Sequence, residues 1–149
     1  MNKKIIAIIV VVIAILILGF VFYTQNTVKV GDVYFAVPDG YHVVDEADYV
    51  NITSGSNYMC LHKHLSDKNI NESIKDFVKY KKKGNDTLKF SKFTSGDITI
   101  TKSLSSKDPK IFHYWFEKDG KTYHAFTWAG NQNSDSFMTN LVSSMKPAI

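Results

Sequence analysis

The stretch "KIFHYWFEKDGKTYHAFTWA", residues 110–129, decides the fold because it has the pattern of a β-hairpin. Two runs rich in aromatic and β-branched residues are separated by Asp119-Gly120, a dipeptide that strongly indicates a two-residue hairpin loop. Such a loop places Lys118 opposite Lys121. The cross-strand register then continues outward from that pair.

That register predicts which side chains share a face of the hairpin. On one face Phe116 lies opposite Tyr123, Tyr114 opposite Ala125 and Phe112 opposite Thr127, and on the other Trp115 lies opposite His124, His113 opposite Phe126 and Ile111 opposite Trp128. Both faces are strongly apolar, which is typical of strands that are covered on both sides. We therefore expect the hairpin at the centre of a sheet, with a helix over at least one face.

The remaining strands are indicated by alternation of apolar and polar residues between turn signals. They are predicted at residues 32–37, 41–44, 49–54, 57–64, 87–93 and 97–104. Gly55 and Gly96 separate the members of two of these pairs, which predicts two further hairpins.

Two segments have the spacing of amphipathic helices. The first, at residues 69–83, ends before Gly84, and its apolar stripe consists of Ile70, Ile74, Phe77 and Val78. The second, at residues 134–146, has Ser134 as a natural N-cap and an apolar stripe of Phe137, Met138, Leu141, Val142 and Met145. The predicted class is α+β, an antiparallel β-sheet flanked by two helices.

An apolar run precedes this domain. Residues 5–23 are 19 uncharged, almost wholly apolar residues, and a helix of that length spans roughly 28 Å, close to the hydrocarbon thickness of a bilayer. Lys3 and Lys4 precede the run, so the positive-inside rule predicts one transmembrane helix with its N-terminus in the cytoplasm. The predicted organisation is a cytoplasmic stub at 1–4, a transmembrane anchor at 5–23, a polar tether at 24–30 and an extracytoplasmic domain at 31–149.

A cleaved secretory signal peptide is the alternative to the anchor. Its apolar region would normally be about 7–15 residues long and would be followed by small residues at the cleavage site. Here the run is longer and "TQNT" follows it, which favours an uncleaved anchor in the plasma membrane. Three glycosylation sequons, at Asn51, Asn71 and Asn85, lie on the predicted outer side.

Charge and cysteine content exclude some classes of function. Beyond the apolar run the chain contains 16 Lys residues and 14 Asp and Glu residues, and all 18 basic residues of the chain are Lys. Arg is the better residue for bidentate recognition of phosphates and base edges, so its absence argues against nucleic-acid binding. The single cysteine, Cys60, has no partner for an intramolecular disulfide, which leaves it buried, metal-bound or paired between chains.

The two ends of the domain resemble the PsbP-like superfamily, which includes extrinsic photosystem subunits and small secreted or anchored microbial proteins. The stretches that carry the resemblance are "VYFAVPDGYHV" and "GKTYHAFTW…SFMTNLVSSMK". The matching positions are Val33, Phe35, Val37, Pro38, Gly40, Tyr41, Gly120, Tyr123, Phe137, Val142, Ser144 and Met145. The resemblance implies an antiparallel sheet between helices and an accessory or binding role, and it transfers no catalytic residue.

The sharpest candidate for chemistry is "YMCLHKHL", residues 58–65, which sets Cys60, His62 and His64 at alternate positions of a predicted strand. Alternate side chains project from the same face, roughly 6.5–7 Å apart, and thiolate and imidazole suit Zn or Cu. Consecutive residues on one strand rarely converge on one ion, so a second strand would have to contribute. His113 and His124, predicted as diagonal neighbours on one face, are the available donors.

The alternative for the same segment is an ordinary strand. Met59 and Leu61 would then point into the core, and Cys60, His62 and His64 would lie on the wetter face. This interpretation is favoured because the spacing C-x-H-x-H lacks the paired arrangement of zinc motifs.

Catalytic patterns are absent from the sequence. No Ser or Cys residue lies in a nucleophile elbow or in a papain-like motif. The sequence also has no P-loop motif. We therefore expect a non-enzymatic, membrane-anchored extracytoplasmic domain that binds or assists an envelope protein or polymer, without a cofactor. The alternative is an envelope Zn or Cu protein that uses the Cys60, His62 and His64 strand.

Overall fold

The computed structural model describes residues 2–23, 26–55, 57–128 and 133–148, with the backbone alone over residues 17–23. In chain order the elements are α1 (Lys3–Tyr23), β1 (Thr27–Val30), β2 (Val33–Ala36), β3 (His42–Asp45), β4 (Tyr49–Ser54), β5 (Asn57–His62), α2 (Ile70–Lys82), β6 (Leu88–Ser95), β7 (Ile98–Ser105), β8 (Ile111–Lys118), β9 (Lys121–Trp128), α3 (Ser134–Ser143) and β10 (Lys146–Pro147). These helices and antiparallel sheets confirm the α+β class.

The larger sheet has seven antiparallel strands in the order β3-β4-β5-β9-β8-β7-β6. The β8–β9 hairpin therefore lies at its centre, as predicted. Its register runs from Lys118 opposite Lys121 to Ile111 opposite Trp128 and agrees with every pair derived from the sequence. The loop residues Asp119 and Gly120 both have positive φ, which is the backbone that a two-residue hairpin loop of this type requires.

A second, smaller sheet was not predicted. Its order is β1-β2-β10, and its first strand, Thr27–Val30, lies where the sequence analysis placed a polar tether at residues 24–30. Val28 and Val30 are buried, while Thr27 and Lys29 are exposed. This alternation covers only four residues, which is too short to stand out in the sequence. Residues 24 and 25 of the predicted tether lie outside the described residues.

The turn between β1 and β2 depends on Gly31. This residue has φ +60, a left-handed conformation that only glycine adopts without strain. A Cβ atom here would lie 2.3 Å from Cδ1 of Leu65, a side chain that packs against the core. The turn therefore favours glycine for its left-handed backbone, and a larger residue would also displace the end of the Leu65 side chain.

The core lies between one face of the larger sheet and a layer formed by β2 and α3. Phe35 of β2 meets Phe116 and Tyr123 edge to face, with ring centroids 6.3 Å and 5.9 Å apart. Phe116 and Tyr123 stack on each other at 5.0 Å. Met138 and Leu141 of α3 are also fully buried. This aromatic centre fixes the hairpin against the smaller sheet.

Helix α3 begins one residue earlier than its predicted N-cap implies. Ser134 is the first helical residue and Asn133 occupies the N-cap position. The Ser134 hydroxyl is buried and lies 2.6 Å from the hydroxyl of Tyr114. Ser134 therefore connects the helix to the sheet instead of capping the helix.

Helix α2 lies over the opposite face of the larger sheet, where Phe77 packs edge to face on Trp115 at 5.0 Å. Its N-cap is Asn69, whose side chain accepts a hydrogen bond from the Glu72 N–H at 2.9 Å. None of its residues is fully buried. The central hairpin is thus covered on both sides, as expected. Helix α2 is less deeply packed on its face than β2 and α3 are on the core face, because none of the α2 residues is fully buried.

Helix α1 includes the apolar run. The described side chains of this run, residues 5–16, are all exposed. Over the part of the chain with described side chains, no helix combines the length and the apolar character needed to cross a membrane. Residues 17–23 of the predicted transmembrane anchor lie outside that part of the chain.

Candidate functional site

Three histidines come together on the face of the sheet that α2 partly covers. Strand β5 pairs with β9, with Cys60 opposite Phe126 and Leu61 opposite Ala125, so the register brings His62 beside His124. The two imidazole rings stack with centroids 4.5 Å apart and planes 14° from parallel. This strand order is the one that the composite site of the sequence analysis required.

His113 completes what we call the histidine row, His62–His124–His113. Its Nδ1 lies 2.8 Å from Nε2 of His124. One ring must donate and the other accept across this contact, so the tautomers of the two rings are coupled. The diagonal relation of His113 and His124 predicted from the hairpin register is confirmed.

Aromatic side chains enclose the row. Trp115 stacks on His124 at 4.7 Å, on the hairpin itself, and Phe77 descends from α2 to within 4.8 Å of the His113 ring and 5.6 Å of the His124 ring. His124 thus has ring neighbours on both strands beside it and on the helix above. The arrangement packs the imidazoles among aromatic rings and leaves them half-buried.

Burial depresses the pKa of every histidine in the row. The pKa of His113 is lowered to about 4, first by burial and then by the positive charge of Lys81 on α2. The pKa of His124 is lowered well below its ordinary value by burial and by its two histidine neighbours. The pKa of His62 is also lowered by burial, against the opposing effect of the Asp48 charge. The row is therefore neutral at physiological pH.

Cys60 lies on the same face of the sheet as the histidine row. Its side chain is buried, and burial followed by the charge of Glu46 raises the pKa of the thiol to about 12. The thiolate is the nucleophilic form of cysteine, so the raised pKa argues against a nucleophilic role for Cys60. Met59 and Leu61 point to the core, as the alternative interpretation of the strand predicted.

His64 does not join the row. The predicted strand continued to residue 64, but β5 ends at His62, and the Lys63 N–H bonds to the carbonyl of Asp48 at 2.9 Å. The His64 side chain is 83% exposed, with Nε2 3.8 Å from a carboxylate oxygen of Asp48. Cys60 and His62 therefore share a face of the strand as expected, but His64 does not lie on that strand.

The metal hypothesis meets a geometric difficulty. Within the described ranges, no group of three His, Cys, Asp or Glu side chains is arranged to hold a metal ion. His113 and His124 use facing nitrogens for each other, and His62 presents the face of its ring to His124. The sequence analysis predicted metal ligands at Cys60, His62, His64, His113 and His124. The structure has the strand order that this site requires, but the imidazole nitrogens do not converge on one point.

The exposed end of the row opens into a cleft of about 320 Å³ between α2 and the end of β5. His62, His64 and His124 line one part of it, and Ser73, Asp76 and Phe77 of α2 line another.

Two polar clusters escaped the sequence analysis. The Tyr114 hydroxyl donates to Asp135 at 2.7 Å, and Asp135 also pairs with Lys102 at 2.9 Å. Asp86 accepts hydrogen bonds from Ser105, Ser106 and the Lys107 N–H, and these bonds lower the pKa of its carboxyl to about 2. Both clusters join segments far apart in the chain, so no local pattern announces them.

The positions that carry the PsbP-like resemblance meet in space. Tyr41, just before β3, packs against Phe137 of α3 with centroids 5.2 Å apart. The Ser144 hydroxyl accepts a hydrogen bond from the Ala36 N–H at 3.0 Å, joining the end of α3 to β2. The two ends of the domain therefore form one structural unit.

Comparisons with known proteins bear on the fold alone. No protein-family model matches the sequence, and no curated protein matches it either. Among solved structures, the chain is similar to the solution structure of cyanobacterial PsbP from Synechocystis sp. PCC 6803, with a TM-score of 0.48 and 11% sequence identity. The likeness covers 78% of this chain and 86% of that chain.

Proposed function

We propose that this chain is a membrane-anchored extracytoplasmic domain that binds or assists another component of the cell envelope and has no catalytic activity. The observation that carries the proposal is the surface of α1. Ile8, Ile15 and Leu16 are 62–66% exposed, and apolar side chains surround the helix over residues 5–16. A helix that is apolar all round needs lipid or protein around it.

The charges beside the run support the orientation. Lys3 and Lys4 stand before it, and the next charged residue after it is Lys29. Lysines flanking an apolar segment favour the cytoplasmic side, which directs the domain outward. The run of 19 uncharged residues has the length that a bilayer requires.

The state of the reactive groups supports binding over catalysis. The raised pKa of Cys60 keeps its thiol protonated, and His113 and His124 bond to each other instead of to a nucleophile. A base without a nucleophile to activate has no role in covalent catalysis. An accessory or binding role is also what the sequence resemblance implies.

Fractionation of cells that express the full chain with a C-terminal tag tests the anchor. We expect the protein in the membrane pellet after alkaline carbonate extraction, with the domain open to added protease in intact spheroplasts. The double variant Ile8→Lys/Ile13→Lys should leave the membrane, while Ile8→Leu/Ile13→Leu should remain. A secreted product that begins near Thr24, or a domain shielded from protease, would contradict the proposal.

Metal binding is the second candidate, favoured by the assembly of His62, His124 and His113 on neighbouring strands. It requires the rings to turn so that their nitrogens converge. Elemental analysis of full-length protein purified without a His-tag is the test. Stoichiometric Zn or Cu that is lost in His62→Ala and kept in His42→Ala, an exposed histidine on β3, would establish it. Metal-free protein that also fails to take up added Zn or Cu would rule it out.

A further inference from the structure

An open groove of about 500 Å³ runs along β1. One side is lined by five consecutive residues, 27–31, and the other by Val43, Val50, Asp45 and Lys63. Because side chains alternate along a strand, consecutive residues line the same groove only where the strand presents its backbone edge. The groove is therefore bounded by the edge of β1.

The hydrogen bonds of β1 show which backbone groups face the groove. The Val37 N–H donates to the Asn26 carbonyl at 2.8 Å, which makes these residues a hydrogen-bonded antiparallel pair. Hydrogen-bonded and non-hydrogen-bonded pairs alternate, so Val28 is bonded to β2 while Thr27 and Lys29 are not. The N–H and C=O groups of Thr27 and Lys29 point away from β2. In the described chain β1 is the edge of its sheet, and these four groups are open to pairing.

The side chains around the groove define what would fit there. Val28 and Val30 turn toward the core, and half-buried Val43 lines the groove on the side away from β1. Lys29 projects from the opposite, exposed face of β1. A strand added to β1 would place alternate side chains on the valines and the others beside Lys29. Apolar residues suit the first set and acidic residues the second.

A lone extended segment is a smaller occupant for the groove than a second copy of this chain. Its far side is formed by Val43 and by the ion pair between Asp45 and Lys63. Neighbouring strands are about 4.8 Å apart, and the β1 strand of a second copy would bring its own β2 with it. A lone extended segment does not have this bulk.

We propose that the edge of β1 binds an extended peptide segment of a partner protein, in which apolar and acidic residues alternate. The segment adds a strand to the smaller sheet, with main-chain hydrogen bonds to Thr27 and Lys29 and apolar side chains over Val43. This inference rests on the binding role proposed above and names the site and the kind of partner. It does not depend on the anchor.

The test uses the full chain in detergent micelles and a blocked seven-residue peptide of alternating glutamate and valine. Amide NMR should show exchange of the Thr27 and Lys29 N–H groups slowed roughly tenfold or more by the peptide, because both become hydrogen-bonded. A peptide of the same sequence, N-methylated at the residues that would bond to β1, should not bind.

Charge reversal sharpens the test. Lys29→Glu should lower the affinity for the glutamate–valine peptide about fivefold and raise the affinity for a lysine–valine peptide, because the exposed cross-strand charge has changed sign. Lys92→Glu, an equally exposed change on edge strand β6, is the matched control and should alter neither affinity.

Three outcomes would overturn the inference. The first is no change at Thr27 and Lys29 with millimolar peptide, and the second is equal binding of the N-methylated peptide. The third is protection of the same two amides by self-association without peptide, which would make a second copy the occupant. A domain that binds the peptide but is secreted would refute the anchor alone, and an anchored domain that ignores the peptide would refute the groove alone.

Discussion

The two faces of the β8–β9 hairpin have similar apolar sequences but different surroundings. On the core face, Tyr114, Phe116 and Tyr123 are at most 2% exposed beneath β2 and α3. On the other face, His113 and His124, their immediate neighbours along the chain, are half-buried beneath α2. Trp115, on the same face and in contact with Phe77, is as buried as the core residues, so the two faces differ at the histidines and not along their whole length.

The faces also differ in how their polar groups find partners. The Tyr114 hydroxyl reaches Ser134 and Asp135 on α3, so the core layer itself supplies its partners. His113 and His124 are bonded to each other, and α2 contributes only the ring of Phe77. Helix α3 thus supplies hydrogen-bond partners to the core face, whereas the polar groups beneath α2 form hydrogen bonds with each other.

The largest expected effect is on the core face. Phe116→Ala should lower the free energy of unfolding by about 3–5 kcal/mol, because it removes a fully buried ring that contacts Phe35 and Tyr123. Phe126→Ala, on the histidine face, should cost less than half as much because that ring is only half-buried. Urea denaturation of both variants measures the difference, and equal losses would contradict the contrast between the faces.

The next effect concerns the packing of α2 on the sheet. Phe77→Ala should cost about 2 kcal/mol and should speed amide exchange in α2 more than in β8 or β9, because this ring joins the helix to Trp115. Tyr80→Ala on the same helix is the control, since that side chain is 71% exposed. We expect the control to change stability by no more than about 0.5 kcal/mol. Uniform exchange across the sheet and helix would show that α2 does not open separately.

The histidine face should make the protein sensitive to acid. The folded-state pKa of His113 is about 4, below its ordinary value of 6.5, so the unfolded state binds protons first as pH falls. The stability is complete above pH 6.5 and is lost toward pH 4, with a loss of about 1–2 kcal/mol between pH 6.5 and 5. His113→Phe should reduce this dependence in urea denaturation without abolishing it, because burial also lowers the pKa of His124. An unchanged slope in the variant would exclude His113 as its source.

Asp86 provides an internal reference for that experiment. Its hydrogen bonds lower the pKa of the carboxyl from 3.8 to about 2, so its contribution is complete above pH 3.8 and is lost only between these values. Asp86→Asn should therefore leave the slope between pH 6.5 and 5 unaltered.

The smallest effect is the loss of one hydroxyl from the core face. Tyr114→Phe should cost about 1 kcal/mol, because Ser134 loses a buried partner while Asp135 keeps Lys102. Thermal unfolding measures the change, with Tyr58→Phe, a half-buried tyrosine on β5, as the control. A neutral result would mean that Ser134 finds another partner.

The parts of this fold that were predictable from the sequence are local. The Asp119-Gly120 loop fixes the hairpin register because only adjacent residues are involved, and the stripe that includes Phe77 predicts α2 within about two residues of its ends. Strand β1 was missed because four residues carry too little alternation. The turn of the chain at His64 was missed because it depends on the contact between Lys63 and Asp48.

The candidate site was predictable only in part, for the same reason. The hairpin register gives the relation of His113 to His124, which are eleven residues apart. The approach of His62 depends on β5 pairing with β9, across more than sixty residues that include α2. No local pattern encodes that choice of neighbour, so the sequence named the residues but left their assembly open.

The turn at Gly31 has a consequence for how this protein can evolve. Any other residue there would need a left-handed backbone and a displaced Leu65, which would disturb the end of the β1 edge. In descendants of this chain we expect Gly31 to remain fixed by purifying selection, while Lys29 is free to change sign in step with whatever binds beside it. Constancy at one position and covariation two residues away would then be the historical record of a binding edge.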